Sequence, residues 1–241
     1  KHLGDRFPSV SPHTWAIRFE RHESWRQHDG FSQIRVQRTH DKVDWDELNE
    51  WVHGVLAAKH VPELCVIDDE LDATVYTLTH EQPHGDQILP DDLSPQLQSE
   101  LESLISRSVS VENGMFISDV STWPLPAIGI QHFSGRFLRK EEHEYLMNLA
   151  DKNPKLDLYA YLASQRLLLR PGFKYGCLWR AYETGINVEH APWLIQPVDE
   201  AATNWEGICL AVRLAEGVNK RWLCASQYGG KWAFLNIQRS G

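Results

Sequence analysis

No run of about eighteen apolar residues occurs in this chain, so a membrane-spanning helix of ordinary length is excluded. The opening Lys1-His2-Leu3-Gly4-Asp5 has no apolar signal region. It also has no Met, and the expectation is an internal fragment. Cysteine is scarce: Cys65, Cys177, Cys209 and Cys224 show no close metal-type pairing and sit in apolar runs. They read as reduced core residues of an intracellular protein, cytoplasmic or, in a eukaryote, nuclear. The 12 histidines offer pairs such as His22 with His28 and His80 with His84. Neither pair has a further ligand at metal spacing, so no metal and no cofactor are expected. Positive charge is also short, 24 Lys and Arg against 33 Asp and Glu, which argues against a nonspecific nucleic-acid coat. The deficit is uneven. From residue 171 onward there are 7 basic against 6 acidic residues, and the preceding 170 hold 17 against 27.

That near-neutral C-terminal stretch carries three informative blocks. Gly172-Phe173-Lys174-Tyr175-Gly176 runs into Trp179-Arg180-Ala181-Tyr182-Glu183. His190-Ala191-Pro192-Trp193-Leu194-Ile195 follows. Arg213-Leu214-Ala215-Glu216-Gly217-Val218-Asn219-Lys220 closes a helix that leads into Trp222-Leu223-Cys224-Ala225. A tyrosine, a histidine and a lysine are the groups that cleavage of RNA without a metal requires. One takes the proton of a ribose 2′-hydroxyl, one protonates the departing 5′-oxygen, and one cation holds the crowded phosphate. The bland alternative is a strand aromatic, a surface histidine and a lysine facing the negative end of a helix dipole.

The three blocks, in order and spacing, resemble the catalytic domain of the tRNA-splicing (tRNA-intron) endonucleases, of the archaeal type with a degenerate fused repeat. The resemblance implies a catalytic triad of Tyr182, His190 and Lys220. It implies cleavage of precursor tRNA at intron boundaries, within bulge-helix-bulge RNA, leaving 2′,3′-cyclic phosphate and 5′-hydroxyl ends. It also implies that Arg213 and Arg239 pinch a bulged base between two planar side chains, as guanidinium groups stack well on bases.

A diverged internal repeat is the second feature. Asp44-Trp45-Asp46-Glu47-Leu48-Asn49-Glu50-Trp51-Val52 echoes Asn204-Trp205-Glu206-Gly207-Ile208-Cys209-Leu210-Ala211-Val212. Asp44 lies three before Glu47 and Thr203 three before Glu206, a capping-box spacing. Each predicted helix leads to a short apolar strand, 64–67 or 222–225, then a hairpin into a second strand, 73–78 or 231–237. Strands at 15–19 and 34–37 precede the first helix. Phe19 falls opposite Tyr182 and Gly30 near His190. His60 faces Lys220 when the copies are aligned on their tryptophans, and Val61 does when they are aligned on the strands. Lys59 is one step away, which rotates a helical side chain by about 100°. The first copy therefore reads as a non-catalytic twin.

Between the copies, 90–107 reads as an acidic connector with one amphipathic helix carrying Leu93, Leu97, Leu101, Leu104 and Ile105. Helices are expected over 139–149 and 156–165, then a strand at 167–170. The predicted fold class is α+β (mixed α/β). It comprises two copies of a small βαβ-type endonuclease C-terminal domain with a small α/β N-terminal-type domain between them. The expected organisation is a degenerate catalytic-domain-like repeat at 1–85, a linker with a helix at 86–112, the N-terminal-like domain at 113–170 and the catalytic domain at 171–241.

The first copy's hairpin, Asp68-Asp69-Glu70-Leu71-Asp72, is acidic, whereas Ser226-Gln227-Tyr228-Gly229-Gly230 is not. The plain reading is a charged surface turn. The resemblance implies that Asp68, Asp69, Glu70 and Asp72 dock into a basic pocket of a partner chain. It thus implies a homodimer, or an assembly with further endonuclease chains, acting on precursor tRNA and not on a membrane. Two rivals are a non-catalytic structural or RNA-binding subunit and a metal-dependent nuclease. The latter needs clustered Asp and Glu-x-Lys residues, which 171–241 lacks.

Overall fold

The computed structural model describes residues 7–147, 154–186 and 190–240. Lys1 to Asp5, and Asn148 and Leu149 of one expected helix, lie outside them. In chain order the elements begin β1 (Ala16–Arg18), β2 (Ser32–Arg38), α1 (Trp45–Ala57), β3 (Val61–Ile67) and β4 (Ala73–Glu81). Next come α2 (Pro95–Ser106), β5 (Val109–Val111), β6 (Gly114–Ser118), β7 (Ile130–His132), β8 (Gly135–Arg139), α3 (Lys140–Leu146) and α4 (Pro154–Ser164). The last are β9 (Leu168–Pro171), β10 (Trp179–Tyr182), β11 (Trp193–Pro197), α5 (Trp205–Glu216), β12 (Arg221–Tyr228) and β13 (Lys231–Arg239). The protein is mixed α+β. Among the described residues no helix is long and apolar enough to cross a membrane.

The chain forms two compact units that do not follow chain order. The first combines 1–82, 172–178 and 194–241, and the second 83–171 and 179–193. In the first unit the strands run β1-β2-β3-β4-β13-β12-β11. β2 and β3 are parallel, with α1 as their crossover. β4 pairs antiparallel with β13, so the α1 and α5 segments share one sheet. Period-two alternation turns Leu64, Val66, Tyr76, Leu78, Trp222, Cys224, Leu235 and Ile237 into one core with the helices. That core takes Leu48, Trp51, Val52 and Val55 of α1 and Trp205, Ile208, Val212 and Ala215 of α5. Each such side chain contributes about 1.5–3 kcal/mol of transfer free energy when fully buried.

The helix starts follow local chemistry. Asp44 accepts the Glu47 amide hydrogen at 3.0 Å and caps α1. At α5 the cap is Asn204, which accepts from the Gly207 amide at 3.1 Å. Thr203, expected in that role, instead accepts from the Val43 amide through its carbonyl. Its backbone belongs to the contact that ties the start of α5 to the chain entering α1.

In the second unit β5-β6-β8-β7 form a small antiparallel sheet, and β9 pairs antiparallel with β10. The expected stripe of α2 lies in this unit's core: Leu93, Leu101 and Ile105 are buried, and Leu97 and Leu104 pack beside them. Glu142 is fully buried and accepts from the Gly129 amide, Arg139 and Arg170. Arg136 donates to the carbonyls of Ile128 and Gly129. Burial, and then the neighbouring Arg170, lower the Arg136 pKa to about 10, with Glu142 opposing the shift.

Candidate active site

Lys220 owes its position to the end of α5. Asn219 adopts a left-handed φ of 55°, and the Lys220 amide donates back to the Ala215 carbonyl at 2.9 Å. This closure stops the helix and leaves Lys220 at the mouth of β12. Its ammonium lies 5.8 Å from the ring centroid of Tyr175, within cation–π range. Lys220 lines a cavity of about 680 Å³ with Glu216, Asn219, Arg221, Gln238, Arg239 and Ser240. The Arg239 amide donates to Glu216 at 2.8 Å, which fixes the last strand against the last turn of α5.

Glu216 and Arg239 also border a second cavity, of about 390 Å³, whose wall includes Arg213. The two arginines singled out by sequence thus meet in one cavity wall of the first unit. Asp68 and Asp72 line the same wall, as do Tyr76 and Cys209. Burial raises the Tyr76 hydroxyl well above its ordinary pKa, and a hydrogen bond with Cys209 adds to the shift. Burial likewise raises the Cys209 thiol. The acidic hairpin is internally ordered, because Asp68 accepts from the amides of Glu70 and Asp72, each at 2.9 Å. At its tip Leu71 has a φ of 66° and is 82% exposed.

Tyr182 and His190 belong to the second unit. Tyr182 ends β10 opposite Leu168 of β9 and is buried beside Leu168 and Ala191. The Arg180 guanidinium lies 5.9 Å from its ring centroid. His190 is exposed. Trp193 donates to Glu183 at 3.1 Å, tying together the two ends of the segment that carries His190.

The sequence reading therefore names one triad residue on the first unit and two on the second. It missed Arg180, Tyr175 and Glu216. Arg180 is two residues before Tyr182 on a strand, and so on the same face. Glu216 is three after Arg213 on a helix, and so its neighbour. Both signals were present. Tyr175 was not recoverable from spacing, because its contact with Lys220 crosses 45 residues of chain.

Residues 153–231 match the family described as tRNA intron endonuclease, catalytic C-terminal domain. Over that third of its length the chain is similar to the catalytic domain of tRNA intron endonucleases. It is 26% identical over 174 residues to a tRNA-splicing endonuclease of Picrophilus torridus, covering 72% of this chain and 54% of that protein. It is 36% identical over 108 residues to a tRNA-splicing endonuclease of Thermoplasma volcanium, covering 41% of this chain and 36% of that protein. The matched stretches span about half of the first relative and about a third of the second. Tyr182, His190, Arg213 and Lys220 fall inside the endonuclease domain match; Arg239 lies beyond its end.

Proposed function

We propose that the protein is a metal-independent endoribonuclease that cuts precursor tRNA at intron boundaries in bulge-helix-bulge RNA. The observation that carries this reading is the set of three ordered blocks inside the endonuclease domain match. Tyr182, acting as its phenolate, accepts the 2′-hydroxyl proton, and the freed 2′-oxygen attacks the adjacent phosphorus as the bond to the 5′-oxygen breaks. His190 donates a proton to the departing 5′-oxygen. Lys220, a compact cation with three donors, stabilises the extra negative charge on the phosphate. The products are a 2′,3′-cyclic phosphate and a 5′-hydroxyl. Arg213 and Arg239, sharing one cavity wall, suit stacking on a splayed base.

In this reading 171–241 is the catalytic domain, 113–170 the N-terminal-like domain, 86–112 the linker and 1–85 a silent structural copy. The equivalent closures of α1 and α5 support the last point. Lys59 and Asn219 both have left-handed φ, 62° and 55°. The amides of His60 and Lys220 both reach back five residues, to Val55 and Ala215. β3 begins at Val61 and β12 at Arg221, each one residue after His60 and Lys220, which supports reading His60, rather than Val61, as the counterpart of Lys220. Two chains pair through Asp68, Asp69, Glu70 and Asp72, which dock on a partner.

The decisive experiment incubates the protein with an intron-containing tRNA precursor in excess EDTA and maps the ends. Cyclic phosphate ends are expected. Products with a 3′-hydroxyl, or dependence on magnesium, overturn the assignment. RNA binding without cleavage makes the chain a non-catalytic subunit.

A further inference from the structure

The silent copy carries an unusual surface in place of chemistry. The connection between β10 and β11 bears His190, whereas the one between β1 and β2, residues 19–31, bears Trp25. Tryptophans elsewhere in the chain are buried or half-buried, but Trp25 is 44% exposed and Trp15, at the start of β1, is 69% exposed. The Arg26 guanidinium lies 5.1 Å from a Trp25 ring centroid. Arg21, His22, Arg26 and His28 are all exposed in the same connection.

The loop has defined geometry. The Gln27 amide donates to the Ser24 carbonyl at 2.9 Å and the His28 amide to the same oxygen at 3.1 Å. The Arg26 amide reaches the Ser24 hydroxyl at 3.3 Å. Glu23 accepts from the Glu20 amide and lies 3.6 Å from the His28 ring, so one of the loop's acids is turned inward to local partners. At the exit Gly30 has a φ of 80°, and a Cβ there would meet Ile17 at 2.4 Å and the Arg18 carbonyl at 2.7 Å. Only glycine lets the chain pass so close to β1, where Phe31 bonds to Arg18. Trp25 and Arg26 are thus held at the tip of an ordered turn.

We propose that the 19–31 loop is a second RNA-binding site, in which Trp25 stacks on an unpaired base and Arg21 and Arg26 face the backbone phosphates. The inference rests on the reading of the substrate as RNA. An exposed indole beside a guanidinium offers what single-stranded nucleic acid takes up: a flat apolar face and diffuse cations. The loop is not net basic, with Glu20, Glu23 and Asp29 beside Arg21 and Arg26, so what it offers RNA is chiefly the exposed indole with a guanidinium next to it. The silent copy then has a task, holding single-stranded RNA, that does not need its lost triad.

The test measures the affinity of the His190→Ala chain for a fluorescent ten-nucleotide single-stranded RNA. Adding Trp25→Ala should weaken binding about 5- to 100-fold, the usual value of one base–aromatic stack. Trp25→Phe should recover most of it. An abasic ten-mer of equal charge should bind the His190→Ala chain about as weakly as the full RNA binds the Trp25→Ala variant. The salt slope lost with Arg21 and Arg26 together should be about −1.4 in log–log terms, for two phosphates. A folded Trp25→Ala variant with unchanged affinity overturns the proposal. So does a changed sedimentation coefficient with unchanged affinity, which makes the loop a chain–chain contact. Cleavage of the precursor by the unaltered chain is read separately. If that fails while Trp25 still governs binding, the triad assignment falls and the loop stands.

Discussion

The α1 and α5 segments of the first unit share an order of strand, helix, strand and hairpin and the same helix closure, yet carry different side chains just after the helix. Lys220 opens on a cavity among Glu216, Arg221 and Arg239. His60, in the matching position, is buried, and its Nδ1 lies 2.8 Å from Gln33. Gln33 is itself fixed by the Ser11 amide, the Thr14 hydroxyl and the Ser9 carbonyl. The same backbone turn thus places one side chain in a cavity wall near the Tyr175 ring and ties the other into a buried polar network. The hairpins diverge as well. Gly229 and Gly230 have φ of 58° and 76°, a tight turn that needs glycine. The first segment turns instead through self-bonded Asp68. Two segments with the same element order and helix closure thus place chemically different side chains at the matching positions.

The sharpest way to break this comparison is to remove the two matched residues in turn. Lys220→Ala should lower single-turnover cleavage by about 10²- to 10³-fold, the scale of one lost electrostatic contact to the transition state. His190→Ala should cost about 10²- to 10⁴-fold with RNA affinity little changed. His60→Ala should leave the chemical step unaltered in folded protein, as should Phe19→Leu. Equal losses at His60 and Lys220 would end the idea of a silent copy.

Next in size is the hairpin difference. On the proposed pairing, neutralising Asp68, Asp69, Glu70 and Asp72 together should raise the dimer dissociation constant at least about tenfold, because an acidic loop docked on cations loses its counter-charges. Each chain stays folded, because exposed pairs contribute about 0–1 kcal/mol. Raised salt should mimic the defect, and sedimentation at low concentration measures it. An unchanged dimer would leave the hairpin a solvated turn.

His60→Ala should also lower stability by about 1–3 kcal/mol, the cost of leaving buried Gln33 partly unsatisfied. Urea unfolding checks this, and an unchanged midpoint would show the network to be dispensable.

The smallest effect is with pH. Burial, and then the nearby His53, lower the pKa of His80 on β4 below its ordinary 6.5. The unfolded chain therefore binds the proton more readily, so stability is full above about 6.5 and falls as pH drops below it. His80→Gln should flatten thermal stability between about pH 7 and 5; an unaltered slope would assign the titration elsewhere.

Much of the local structure was legible. The repeated blocks at 44–52 and 204–212 and the capping-box spacing gave α1 and α5, and the short apolar run 222–225 gave β12, because such signals act over a few residues. The α5 cap was misread by one residue: the Thr203–Glu206 spacing pointed to Thr203, whereas Asn204, the stronger capping type, accepts the Gly207 amide hydrogen. The small sheet of β5 to β8 was not resolved from sequence. Its three-residue edge strands are too short to show a period.

By itself the sequence determined where helices, strands and chemically apt side chains occur, because caps, periodicity and motif order act over a few residues. Tertiary structure alone decided that α2 enters a core rather than a solvated connector, that Arg213 meets Arg239 across one cavity, and that Glu216 holds the last strand. It also decided that His60 joins a buried polar network while Lys220 lines a cavity. Those outcomes depend on which distant surfaces bury one another, and burial is set by the whole chain.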